Sequence, residues 1–103
     1  MYSVAHLPKA IDDIFDIEEY LYSHSPTAAD RFTEMLDECV GDIAEHPYMW
    51  PIYEKDSFFR RMIIGDYVLF YSVDEKRKLL VIHRIFHHLR NIDFEMQKDV
   101  PAK

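Results

Sequence analysis

Two apolar runs, residues 58–64 and 67–73, are separated by only Gly65 and Asp66. A connection that short closes as a tight primed turn, which needs a positive backbone φ and therefore favours glycine at its start. The chain has only two glycines, so this is where it can reverse direction most sharply. The two runs must then pair as antiparallel strands. The polar stretch DEKRK, residues 74–78, makes the next turn, and residues 79–86 read as a third long strand.

Upstream the apolar period changes. Residues 2–7, YSVAHL, alternate enough for a short first strand. Pro8 suits the first position of a helix, where its missing donor costs nothing. Ala10, Ile14, Ile17 and Leu21, with Ile11 alongside, recur at three- and four-residue steps. Asp12 and Asp13 are expected to face the positive end of that helix dipole. The segment SHSPT breaks the pattern, and Ser25 is expected to cap a second helix with Pro26 at its first position. Ala29, Phe32, Leu36, Cys39, Val40 and Ile43 form its apolar stripe, and Pro47 should end it near Glu45. A connection of three or four residues is expected between the helices. The stretch HPYMWPIY, residues 46–53, then reads as a crossing segment pinned by Tyr48 and Trp50. Helices first and strands afterwards predict an α+β fold: an N-terminal helix hairpin packed on one face of a three- to four-stranded antiparallel sheet.

The 103 residues suit one domain, spanning 1–103. No window holds the roughly 20 apolar residues of a membrane span, and no basic-then-apolar leader opens the chain. One cysteine, Cys39, falls on a helical apolar stripe and reads as an inert packing residue in a reduced, cytoplasmic protein. Net charge is −7, but residues 1–54 hold twelve acidic and two basic side chains, whereas residues 55–103 hold seven acidic and ten basic. That acidity argues against stable direct DNA binding, whose affinity comes mainly from neutralised phosphates. Too few glycines are present for a phosphate-cradling loop, and no cofactor is expected.

The stretch IFHHLRN, residues 85–91, concentrates the remaining chemistry. On a strand, His83 and His87 stand roughly 13 Å apart, too far to share an ion at metal–nitrogen bonds of about 2.0–2.1 Å. No metal site is expected. If the first turn is tight, Arg61 faces Phe70; if residues 74–78 are a five-residue loop, Val68 pairs with Arg84. Arg61, Arg84 and His88 then gather on the sheet face left open by the helices, although a one-residue slip would exchange faces.

The run RRMIIGDYVLFYSVDEKRKLLVIHRIFHHLRNI resembles the C-terminal half of the RelE/ParE superfamily of bacterial type II toxins. Arg61, Gly65, Tyr67 and Tyr71 match the hairpin part of that pattern. Val81, Arg84, Ile85 and His87 match the third strand, and Arg90 the terminal segment. The two helices ending in HPYMWP resemble the ParE branch. The resemblance implies a small growth-inhibiting toxin of plasmid-stabilisation and stress-response systems, held inactive by a cognate antitoxin whose flexible segment wraps the helices and sheet. The RelE branch cleaves mRNA on the ribosome, and the ParE branch inhibits DNA gyrase.

As an RNase, the chain would draw on Arg61, Arg84, His87, His88 and Arg90 for proton transfer and phosphate binding. Yet Val68 stands where that branch places a basic residue after the hairpin tyrosine. Lys55 alone remains of its lysine cluster, and Leu89 replaces an expected arginine. The ParE-like, non-enzymatic reading is therefore preferred, with Arg61, Tyr67, Arg84, His87, His88 and Arg90 as target- or antitoxin-binding residues. An inactive, interaction-only member is the third reading.

Overall fold

Prolines start both long helices, as their fixed φ and missing donor favour. A computed structural model of the chain describes residues 1–99. In chain order it contains β1 (Ser3–His6), α1 (Pro8–His24), α2 (Pro26–Glu45), β2 (Ile52–Tyr53), β3 (Asp56–Ile64), β4 (Tyr67–Asp74), β5 (Leu79–His87) and α3 (Ile92–Asp99). The connection between the helices is one residue, not three or four, because Ser25 serves both ends. Its N–H donates to Leu21 O at 2.7 Å, closing α1, while its Oγ accepts from the Ala28 N–H at 3.3 Å, opening α2. Asp12 and Asp13 lie beyond the first turn of α1, where no acidic residue stands, so they do not serve the helix dipole.

The sheet has five strands in the order β1-β5-β4-β3-β2. The fold class is the one expected, with a larger sheet. Two-residue β2 adds one edge, and β1 lies parallel to β5 at the other. Gly65 takes φ +57° at the tip of the β3–β4 hairpin, as a tight turn there requires.

The expected β4–β5 register is corrected. Val68 pairs with Phe86, and Phe70 pairs with Arg84. Two one-residue differences account for this. Asp74 already pairs with Leu79, which leaves a four-residue loop, and an irregularity beside Phe70 and Tyr71 leaves His83 without a partner on β4. Each slip exchanges faces and the two together restore them. Arg61, Phe70 and Arg84 consequently lie in one cross-strand row.

One sheet face packs against the helices, with Phe32, Leu36 and Ile43 meeting Met62, Leu69 and Ile82. Burying each such side chain contributes about 1.5–3 kcal/mol. Ile11 is exposed rather than part of this core. The other face, expected to be open, is covered: Ile92 and Met96 of α3 close over Phe59, Phe70 and Phe86. The crossing segment is held by Trp50, which packs on the helix-side core, and by Pro47 O, which accepts from the Tyr71 hydroxyl at 2.7 Å. Tyr48 stays half exposed, under the Arg60 guanidinium. Tyr53 is the more deeply buried aromatic, on the α3 side.

Candidate functional site

β1 pairs with β5 only as far as Ile82, so among the described residues the outer edge of β5 beyond it meets no strand. Asp13 of α1 fills part of that gap. Its Oδ2 accepts from the Ile85 N–H at 3.1 Å and from Arg84 Nε at 2.7 Å, and its Oδ1 accepts from Arg84 Nη2 at 2.9 Å. Beyond this clamp a cleft of about 780 Å³ opens between α1 and the end of β5. Ile17, Tyr20 and Leu21 form its helical wall; Tyr67, Phe86 and Leu89 supply apolar surface opposite.

Tyr67 and His87 are cross-strand partners with rings 5.5 Å apart, edge to face. Leu89 N–H donates to His87 Nδ1 at 3.1 Å, so the neutral ring carries its hydrogen on Nε2. In that state the outer nitrogen of His87 donates rather than accepts. His88 leaves the strand and stacks on His87 at 4.7 Å, while its N–H donates to Asp66 O at 2.8 Å and ties the terminal segment to the hairpin tip. Burial pushes the Tyr67 phenol up, and the Asp66 charge adds to the shift.

The six residues singled out from the sequence divide. Tyr67, His87 and Arg90 line the cleft. Arg84 stands behind it, held by Asp13, with its guanidinium 4.5 Å from the Phe86 ring centre. His88 stacks on the cleft histidine, and Arg61 lies in the row on the α3 side of the sheet. The Arg90 guanidinium lies 5.4 Å from the Phe86 ring centre and pairs with Glu95. Sequence reasoning missed Asp13, Asp16, Tyr20 and Asp66 as cleft residues. Asp13 left a signal: it stands three residues after Ala10 and four before Ile17, inside an apolar stripe, where a carboxylate needs a buried partner.

The described lining of the cleft therefore brings together three carboxylates, Asp13, Asp16 and Asp66, one guanidinium, Arg90, and one imidazole. Among the described residues no three His, Cys, Asp or Glu side chains converge as a metal site requires. No helix among them is long and apolar enough to cross a membrane. Burial pushes the Cys39 thiol up, and the charges of Asp42 and Glu38 push it further, which keeps it protonated and unreactive near neutral pH.

Solved structures of similar fold come from toxin–antitoxin systems. The chromosomal ParDE system of P. aeruginosa matches with a TM-score of 0.69 at 19% identity, covering 84% of this chain and 96% of that one. The isolated E. coli RelE toxin matches with a TM-score of 0.65 at 13% identity, over 95% and 97% of the two chains. The toxin–antitoxin complex RelBE2 from Mycobacterium tuberculosis matches with a TM-score of 0.61 at 22% identity, over 84% and 96%. No curated relative matches the chain. The family model described as the ParE toxin of the type II toxin–antitoxin system, parDE, matches residues 4–92, and the chain belongs to that family.

Proposed function

We propose that this toxin arrests growth by binding DNA gyrase rather than by cleaving RNA, and that a cognate antitoxin neutralises it by occupying the cleft beside β5. The reading rests on the composition of that cleft. Its histidine is accompanied by three carboxylates and one guanidinium already paired with Glu95. RNA cleavage needs the opposite sign, cations that hold a phosphate as charge builds on it. Arg84, which could supply one, has two guanidinium nitrogens bound to Asp13, and Arg61 sits on the α3 side of the sheet. A neutral His87 presents a donor at Nε2 where a general base needs a lone pair. A cleft walled by tyrosines and leucines, with Leu89 at 79% exposure on its rim, suits a protein segment. The likeness in fold to ParDE and RelBE2 supports an antitoxin as one such partner.

Expression of the chain alone tests this. Filamentation with DNA damage, and inhibition of supercoiling by purified gyrase, are the expected results. Ribosome-dependent mRNA cuts, abolished by His88→Ala or Arg61→Ala, would instead establish a RelE-like endonuclease. Unimpaired growth with soluble, folded protein would leave an interaction-only member.

A further inference from the structure

Tyrosines aside, Ser72 is the only polar side chain buried among the described residues, at 6% exposure. It stands two positions after Phe70 on β4 and so faces the α3 side of the sheet. Its Oγ lies 2.8 Å from His83 Nε2, and it has no other hydrogen-bond partner among the described residues. A buried hydroxyl must donate to something, so Nε2 holds a lone pair and the ring hydrogen sits on Nδ1. An alanine would bury here without needing a partner. Packing alone does not call for the pair.

The backbone arranges it. Ser72 pairs with Val81 across β4 and β5, and His83 is the extra residue at the irregularity beside Phe70 and Tyr71. A bulge re-aims the side chain it carries, and here the imidazole crosses diagonally to Ser72. Phe58 and Phe59 hold that ring edge to face, at 5.7 and 4.9 Å. Burial keeps it neutral near neutral pH. Ser72 and His83 both line an open hollow of about 400 Å³, walled by Phe58, Val73 and Val81. None of its described lining residues belongs to the cleft beside β5.

We propose that Ser72 is a nucleophile, with His83 as its general base, toward neutral activated esters that carry a short apolar acyl group. The geometry has the two parts such chemistry needs: a hydroxyl within hydrogen-bond reach of a neutral base, and surroundings that hold the base in place. Ser72 Oγ bonds to the ester carbonyl carbon while its proton passes to His83 Nε2. The adduct then collapses, the bond to the leaving oxygen breaks, and that oxygen takes the proton from Nε2. Phe58, Val73 and Val81 accept the acyl chain, and Lys76 brings a cation for charge developing on the carbonyl oxygen. Asp74 and Glu75 line the same hollow and repel an anionic substrate. Among the described residues no carboxylate holds His83. Acylation is therefore slow and stoichiometric rather than a rapid turnover.

The test incubates the full chain with a fluorescent alkyl fluorophosphonate, followed by intact mass and peptide mapping. The folded protein is expected to gain one phosphonyl group on Ser72 with loss of fluoride, and protein unfolded in urea should gain none. Ser72→Ala should abolish labelling. His83→Gln keeps a hydrogen-bond partner for Ser72 but removes the base, and should slow labelling roughly tenfold or more. Absence of labelling on the folded chain, labelling at another residue, equal labelling in urea, or indifference to His83→Gln overturns the proposal. The labelled position is mapped on the parent chain, so the outcome stands even where a variant unfolds. These readouts are independent of whether the chain arrests growth.

Discussion

Arg84 and Asp13 join β5 to α1 through two hydrogen bonds of 2.7 and 2.9 Å, with side chains only 13% and 11% exposed. Asp13 also takes the Ile85 N–H. Removing the carboxylate leaves a nearly buried cation and an orphaned backbone donor, whereas removing the arginine leaves a carboxylate that keeps one partner. Asp13→Ala should cost about 3–4 kcal/mol and Arg84→Met about 1–3 kcal/mol. The double variant should lose less than the sum of the two, by about 1 kcal/mol or more. Urea unfolding of the three proteins measures this, and strictly additive losses would show that the pair is not coupled.

His83 makes stability depend on pH. Burial holds its imidazole below the ordinary value of 6.5, and its Nε2 lies 2.8 Å from Ser72 Oγ. The ring is therefore neutral in the fold at a pH where the unfolded chain already binds a proton. As pH falls from about 7 through the unfolded value, the unfolded state gains protons first and stability declines, levelling only below the folded value. His83→Gln keeps a partner for Ser72 and does not titrate. Its melting temperature, compared with the parent between about pH 7.5 and pH 5.5, should fall less on acidification. Parallel curves would remove His83 from the acid response.

Much of this architecture is legible where single residues punctuate the chain. Pro8, Ser25-Pro26 and Pro47 bracket both long helices, and Gly65-Asp66 locates the hairpin. The β4–β5 register is not legible, because no glycine or proline marks the irregularity at His83 and the whole row from Arg61 to Arg84 turns on it. Helix α3 is also hidden, since the two side chains that dock it, Ile92 and Met96, make too short a pattern to identify alone. The candidate site divides for the same reasons. Tyr67 and His87 meet because the hairpin and third strand set them opposite each other, but the acidic character of their surroundings comes from α1, which only tertiary packing brings there.

Gly65 is a second stability test. Its φ of +57° lies in the left-handed region, and a Cβ there would meet only the flexible end of Met35, at 3.4 Å. The penalty for substitution is thus conformational rather than steric. Gly65→Ala should cost about 1–2 kcal/mol, Gly65→Asn less, and Gly65→Val more, because a branched Cβ tolerates that region worst. Thermal unfolding orders the three variants. A harmless Gly65→Val would mean that the hairpin closes through another turn geometry.

Tyr53 ties the two-residue strand β2 to α3 through its hydroxyl, which donates to Asp93. Burial and then the Asp93 carboxylate hold this phenol above its usual range, so it remains a donor near neutral pH. Its ring meets Phe70 edge to face at 4.9 Å, beneath the side chains that α3 contributes. Tyr53→Phe keeps the ring and removes the tie; about 0.5–1.5 kcal/mol should be lost, all of it on the α3 side. Tyr53→Ala removes ring and tie together and should cost about 3–5 kcal/mol, as loss of a buried aromatic does. Amide hydrogen exchange separates the local effect from the global one. With Tyr53→Phe, amides of α3 should exchange several-fold faster while those of α1 and β5 stay protected, because a region held by few buried contacts opens by itself. Equal acceleration on both sides of the sheet would mean that α3 opens only when the whole chain unfolds.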